Sequence, residues 1–290
     1  MTSLAFTKGH GTENDFVLLF DPHGDLDLSP SLVRFLCDRR AGIGGDGVIR
    51  AIRAGALDAG AGLEPATWFM DYWNADGSTS EMCGNGARVF GAFLEAEAGE
   101  DLAGGLEFGT RGGPRTVTAR GGGRYAIGMG RYVVGDATDG FDSEVAARGL
   151  DPVRPALSVD MGNPHHVVAL PDVDELRGLD LTEAPRVHPV PPHGTNVEFA
   201  VALGHAEVDG ESRGRVRMRV HERGSGETRS CGTGACAVAL AMRTWAGAGA
   251  PDVWDIEVPG GLVTVRIEGE TTVLEGPAVL VATGEVDAPA

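Results

Sequence analysis

Lysine is all but missing from this 290-residue chain: Lys8 is the only one, and every other basic residue is arginine. Schiff-base chemistry on a lysine amine therefore has a single candidate. Positive charge is scarce altogether, with 24 basic against 42 acidic residues and a net charge of −18. That balance excludes the basic patches that nonspecific nucleic-acid or anionic-membrane binding needs. No apolar run reaches the roughly 18 residues that span a bilayer, and the opening MTSLAFTKGHG has no signal-peptide apolar core. The expectation is a cytoplasmic protein with no membrane or nucleic-acid partner. Cysteine occurs only at positions 37, 83, 231 and 236, too sparsely for a disulfide framework. C-x-x-C and H-E-x-x-H are absent, and adjacent His165 and His166 on a strand would point to opposite sides, so no metal is expected. Gly42-Ile-Gly44-Gly45-Asp46-Gly47 formally fits G-x-G-x-x-G. A helical pattern precedes it and a strand-like run follows, the reverse of a dinucleotide site. No Walker A sequence occurs.

What is present is a repeat. Asn74-Ala-Asp-Gly-Ser-Thr-Ser-Glu-Met-Cys83-Gly84-Asn85-Gly86-Ala87 parallels Glu222-Arg-Gly-Ser-Gly-Glu-Thr-Arg-Ser-Cys231-Gly232-Thr233-Gly234-Ala235, with the cysteines 148 residues apart. Asn14, in Gly-x-x-Asn-Asp-Phe-Val, and Asn163, in Met-Gly-Asn-Pro-His-His-Val, lie 149 apart, each ahead of an apolar strand start. Two homologous halves follow, each mainly strands wrapped on one central helix.

Alternating and β-branched runs predict strands over 67–73, 115–120, 158–170, 196–203 and 216–221, and a hairpin over 255–268 turning at Gly260-Gly261. Ser29 and Pro30 predict a helix burying Leu32, Phe35 and Leu36. Helical spacing recurs after each repeated cysteine: Val89, Phe90, Phe93 and Leu94 up to Gly99, then Val238, Ala239, Met242 and Trp245 up to Gly247. Arg120-Gly-Gly-Gly-Arg124 reads as a linker, and 135–155 shows no clear period.

A cysteine at a helix N-terminus meets backbone N–H groups and the positive end of the dipole, both of which favour thiolate. The glycines allow close approach to those amides, which suit a carboxylate and stabilise a carbanion beside it. Two matched thiols would suit removing a proton from one face of a carbon and returning one to the other. Cys37 and Cys236 read as core. Asn14, Asn74, Asn163 and Asn196 stand in turn or strand-edge contexts, where any one alone reads as a turn former. Glu222 and Arg223, at a strand end, offer an acceptor for an ammonium group and a fork for a carboxylate. A Cys83–Cys231 disulfide under oxidation, a thiol redox switch, and racemisation of proline or hydroxyproline stay open on this reading.

These motifs together resemble the diaminopimelate epimerase family over nearly the whole chain. The resemblance rests on Lys-Gly-His-Gly-x-x-Asn14-Asp-Phe, Asn74-Ala-Asp-Gly-Ser with Cys83-Gly-Asn85-Gly, Gly-Asn163-Pro-His165, Asn196-Val-Glu-Phe, and Glu222-Arg223-Gly-x-Gly-Glu-Thr-x-x-Cys231-Gly-Thr233-Gly. It implies an α+β fold of two pseudo-symmetric domains, each a β-sheet barrel around a central helix. The first would span residues 1–123, completed by a C-terminal strand at 278–290, and the second residues 124–277. It implies interconversion of LL- and meso-diaminopimelate with no cofactor, neither pyridoxal phosphate nor metal. Cys83 and Cys231 would be catalytic, one as thiolate base and the other as thiol acid. The amides of Gly84, Asn85, Gly232 and Thr233 would hold the reacting carboxylate, and Asn14, Asn74, Asn163, Asn196, Glu222 and Arg223 the rest of the substrate. His165 and Glu222 would assist the first and second thiols respectively. The partner expected is this small molecule, with a homodimer left open. Two positions depart from the family pattern. Thr12-Glu13 stands where many members carry an apolar residue and glycine, and Gly47 where many carry glutamine. Proline racemases usually carry histidine at the position of Asn85, and isomerases of the phenazine-biosynthesis type lack the cysteine pair.

Overall fold

The computed structural model describes residues 2–136 and 138–288. Contacts divide the chain into two units, Met1–Gly128 with Gly276–Ala290, and Met129–Glu275. The first unit begins β1 (Thr2–Gly11), β2 (Asn14–Phe20), α1 (Pro30–Cys37), β3 (Gly47–Arg53), β4 (Trp68–Asn74) and α2 (Gly84–Ala98). It continues through β5 (Leu106–Phe108), β6 (Arg115–Gly121) and the start of β7 (Arg124–Arg131), within which the unit boundary falls. The second holds β8 (Val133–Val134), β9 (Ser143–Ala146), β10 (Arg154–Asp160), β11 (Pro164–Ala169), α3 (Val173–Gly178), β12 (Arg186–His188) and β13 (Asn196–Val208). Then come β14 (Glu211–Glu222), β15 (Gly226–Thr228), α4 (Gly232–Ala246), β16 (Val253–Val258), β17 (Gly261–Glu268) and β18 (Thr271–Pro277). The chain then returns to the first unit as β19 (Val279–Ala288), antiparallel to β1.

In the first unit the sheet order is β19-β1-β2-β3-β4. A two-residue turn joins β1 to β2, with Gly11 paired to Asn14. Its central residues Thr12 and Glu13 have φ of 52° and 61°, the left-handed pair that a type I′ hairpin requires. Helix α2 packs against β1, β2, β3, β4, β6 and β19. It is buried without interruption from Gly84 to Leu94, as a helix central to its unit must be. In the second unit the order is β12-β9-β10-β11-β13-β14-β16-β17-β18, and α4, buried from Gly234 to Met242, packs against β10, β11, β13, β14, β16 and β17. The two helices are equally long and each ends at a glycine of positive φ, Gly99 in the left-handed helical region at φ 67° and ψ 24°, and Gly247 outside it at φ 71° and ψ −151°. Ser29 caps α1, its Oγ accepting from Leu32 N. Val33, Leu36 and Cys37 are the buried residues of α1, while Leu32 and Phe35 are half-buried against them.

Three expectations need correction. The sheets are open rather than closed barrels: β19 and β4 stand at the two ends of one order and β12 at an end of the other. Closure requires first and last strands to pair, and past β4 only a single bridge, Phe69 to Gly109, continues the first sheet. Residues 158–170 are two strands, β10 and β11, because Gly162 at φ 89° turns the chain. Arg120–Arg124 is the loop of the β6–β7 hairpin, with Gly121, Gly122 and Gly123 all at positive φ, and it links strands rather than units. Residues 289 and 290 of the expected C-terminal strand lie outside the described residues.

Gly47 opens β3 where β4 runs closest. A Cβ there would lie 2.4 Å from Trp73 O and 2.7 Å from the Tyr72 ring, so a larger residue requires the two strands to part. Beside it, Asp15 on β2 receives Lys8 Nζ at 2.5 Å and Arg39 Nη2 at 2.6 Å. Burial opposes ionisation of Asp15, but the hydrogen bonds and charges of Arg39 and Lys8 outweigh it and hold its pKa at about 2. A carboxyl depressed in the folded state stabilises the fold above its ordinary pKa and loses that contribution as pH falls toward the folded value. Asp15→Asn is therefore expected to be less stable than the parent at pH 7. The gap should close as pH falls from the ordinary 3.8 to about 2, measured by urea unfolding midpoints.

Candidate active site

Each repeated cysteine is the N-cap of its helix. Cys83 has φ −139° and ψ 118°, and its sulfur accepts from Gly86 N at 3.4 Å. Cys231 has φ −123° and ψ 117°, and its sulfur accepts from Gly234 N at 3.3 Å. The amides of Gly84, Asn85, Gly232 and Thr233 belong to first turns, where the helix supplies no acceptor. The local geometry is thus duplicated down to the hydrogen bond.

The surroundings are not. In the first unit Cys83 is half-buried and its thiol donates to Asn14 Oδ1 at 3.6 Å. Asn85 Nδ2 donates to the same oxygen at 3.2 Å, and Asn14 Nδ2 donates to Asp46 Oδ2 at 2.8 Å. Asn85 Oδ1 in turn accepts from Arg88 Nη2 at 3.0 Å. Asn74 ends β4 in a turn, its Nδ2 donating to Ser78 Oγ at 3.0 Å, with Gly77 at φ 88°. Backbone bonds stitch the turn to the Gly42–Gly47 loop: Ala75 N donates to Asp46 O at 3.1 Å.

In the second unit Cys231 is buried among acids. Burial raises its thiol well above the ordinary range, Glu222 and Glu198 push the same way, and Thr233 and Gly234 N only partly offset them. Glu222, at the end of β14, is itself raised, by burial first, against hydrogen bonds from Thr228 and Cys231. Asn163 lies in the β10–β11 turn, with its Nδ2 at 3.4 Å from Thr233 Oγ1 and its Oδ1 at 3.0 Å from His165 Nε2. His165 Nδ1 is 2.7 Å from Glu198 Oε1, and both side chains are fully buried. The partners seen for His165 thus lie in the unit that carries Cys231. Asn196 is occupied at both ends of its amide: Nδ2 donates to Pro164 O at 3.0 Å, and Oδ1 accepts from Arg223 N at 2.9 Å. It braces the backbone from which the exposed Arg223 side chain extends, whose Nη1 donates to His193 O at 3.0 Å.

Cys37 and Cys236 are core, and burial lifts the Cys37 pKa to about 11. All four cysteines are free thiols. Among the described residues no group of three or more His, Cys, Asp or Glu is arranged to hold a metal, and no helix is long and apolar enough to cross a membrane.

One of the residues that sequence reasoning passed over is Glu198. The signal was available: Asn196 and Glu198 alternate with Val197 and Phe199 on one strand, so the two polar side chains share a face. A carboxylate inside an otherwise apolar strand marks a built polar site. Glu198→Gln removes one of the two negative charges that raise Cys231. In a Cys83→Ala background that thiol is expected to titrate at lower pH, followed by ultraviolet thiolate absorbance. An unchanged or higher midpoint would deny Glu198 this influence.

The diaminopimelate epimerase family model matches the chain twice, over residues 6–135 and 157–286. A protein named diaminopimelate epimerase from Streptomyces coelicolor is 47% identical, covering 99% of this chain and 96% of its own. One of the same name from Rhodococcus jostii is 44% identical, covering 97% and 96%. Among solved structures, a phenazine biosynthesis protein of the PhzF family from Bacillus anthracis shares the fold with a TM-score of 0.65 at 14% identity, covering 99% of both chains.

Proposed function

We infer the function from one premise: the chain belongs to the diaminopimelate epimerase family. It is an amino-acid epimerase that interconverts LL- and meso-2,6-diaminopimelate without pyridoxal phosphate, in the supply of lysine and of peptidoglycan precursors. One cysteine, as thiolate, takes the α-proton and becomes a thiol. The other, as thiol, delivers its proton to the opposite face and is left as thiolate. Configuration inverts and the two sulfurs exchange protonation states, so reversal needs only the opposite starting state. Carbanion charge spreads into the carboxylate, which the amides of Gly84, Asn85, Gly232 and Thr233 receive. Asn14, Asn74, Asn163, Asn196, Glu222 and Arg223 hold the rest of the substrate, with His165 and Glu222 governing thiol protonation. The same reading takes residues 1–123 with 278–290 and residues 124–277 as its two halves, puts the protein in the cytoplasm, and leaves a homodimer open.

The observation that carries this reading is the matched pair of capping sulfurs, each accepting from the amide three residues on. A core cysteine has no need of that bond, whereas a base that cycles between thiol and thiolate is stabilised by it in the charged state. Burial, with the carboxylates of Glu222 and Glu198 adding to it, favours the thiol at Cys231 in the absence of substrate.

Reduced protein incubated with LL-diaminopimelate in D2O is expected to place deuterium at one α-carbon as the meso isomer forms. Cys83→Ala and Cys231→Ala should each lose epimerisation. Near-parent turnover by either variant would sink the two-base mechanism, and absence of deuterium with folded, reduced parent protein would sink the activity.

A further inference from the structure

The Gly42–Gly47 loop fits no nucleotide site, and it carries the acid that sets the first thiol's surroundings. Asn14 and Asn85 are joined in a chain whose two ends are charged. At one end Asp46 accepts from Asn14 Nδ2 at 2.8 Å. At the other Arg88, a fully buried side chain, donates to Asn85 Oδ1 at 3.0 Å and to Thr12 Oγ1 at 3.1 Å. Between them Asn85 Nδ2 donates to Asn14 Oδ1 at 3.2 Å. A carboxylate can only accept and a guanidinium can only donate. Each end therefore dictates which way its amide points, and the middle bond is satisfied only when both obey. The consequence is that the atom of Asn14 left facing Cys83 is the carbonyl oxygen, at 3.6 Å from the sulfur.

We propose that Asp46 and Arg88 are positioning residues that lock the Asn14 and Asn85 carboxamides so that Cys83 meets a hydrogen-bond acceptor. An acceptor opposite a sulfur favours the protonated form, and a donor favours the thiolate. The locked Asn14 therefore opposes the amide of Gly86, which donates to the same sulfur at 3.4 Å. Both influences act on the first thiol.

Asp46 is held for this task from several sides. Its backbone N donates to Asp15 O at 2.7 Å, its carboxylate receives Arg39 at 2.8 Å and Asp15 N at 3.2 Å, and its carbonyl receives Ala75 N at 3.1 Å. Lys8, the sole lysine, bonds Asp15 and the carbonyl of Gly44, which anchors the loop. The charged and titratable groups ranged around the chain of amides are Lys8 and His10 on β1, Glu13 in the turn, Asp15 on β2, Arg39 and Asp46 between α1 and β3, and Arg88 on α2. Of these, Asp46 bonds Asn14 and Arg88 bonds Asn85 through their side chains.

Asp46 is part-exposed, so its replacement tests the lock without opening the core. In Asp46→Asn the group facing Asn14 either donates or accepts, so only the neutral bond from Asn85 Nδ2 still holds the Asn14 oxygen toward the sulfur, and turning the amide nitrogen there no longer forfeits a charge-assisted bond. The measurement is the pH dependence of Cys83 alkylation by iodoacetamide, resolved by peptide mass spectrometry on substrate-free protein. Its result does not depend on whether the chain epimerises anything. The midpoint is expected to fall by about one unit in Asp46→Asn, an approximately tenfold gain in thiolate fraction below both midpoints. Asp46→Glu, which restores an acceptor-only group, should titrate near the parent. A parent-like midpoint in folded Asp46→Asn, or a shift in Asp46→Glu as large as in Asp46→Asn, would overturn the proposal.

Discussion

Everything at the candidate site is arranged around one hydrogen bond made twice: a backbone N–H in the first turn of a helix, donated to the sulfur of the residue that caps it. It ends the strand-like path of the chain, starts the helix, and places a thiol against the positive end of the dipole in one step. A helix central to its unit keeps that first turn from fraying, as the proposed chemistry requires. Burial of α2 through Leu94 and of α4 through Met242 supplies that rigidity. The encircling strands deliver the remaining polar groups: β2 begins at Asn14, β4 ends at Asn74, β13 begins at Asn196 and β14 ends at Glu222.

The duplicated bond sits among different side chains in each unit. Around Cys231 the carboxylates of Glu222 and Glu198 add to burial and favour the thiol. At Cys83 the thiol donates to the Asn14 amide oxygen and the sulfur accepts from the helix N–H of Gly86. A reaction that inverts one carbon can use equivalent sulfurs, but the rest of diaminopimelate presents a second amino-acid centre to be recognised in one configuration. Symmetry at the cap and asymmetry beyond it answer these two demands separately.

Much of this was legible in the chain. Both central helices, with their caps and stops, follow from cysteine, glycine and apolar spacing, because a buried helix imposes a period that few substitutions can hide. The hairpin over 255–268 follows from turn chemistry, with the turn one residue earlier than expected: Val258 pairs with Gly261, so Pro259 and Gly260 form it. The strand at 158–170 was misjudged because apolar and β-branched residues flank Gly162 on both sides, and only the glycine's positive φ divides them. Arg120–Arg124 was misjudged for the converse reason: a glycine run looks the same in a linker and in a hairpin loop until the strands on either side are known to pair. The second ring of the site was the least legible. Asp46, Arg88 and Glu198 touch the predicted residues through contacts 32, 3 and 33 positions away in sequence, and only the three-residue one has a helical spacing to betray it.

The repeated glycine three residues after each cysteine has a different cause from the one its conformation would suggest. Gly86 and Gly234 are helical, with no positive φ to demand a missing side chain. What excludes a side chain is closeness. A Cβ at Gly234 would fall 2.7 Å from Glu198 Oε1 and 3.3 Å from the Cys231 sulfur. One at Gly86 would fall 3.0 Å from Ile49 Cδ1 and 3.4 Å from Cys83 Cβ. In the second unit the missing methyl is what lets a buried carboxylate lie against the helix start and act on the thiol. In the first, the same omission lets β3 pack beneath the cap. The motif is thus a packing requirement in both halves, and only in one of them does the space serve electrostatics.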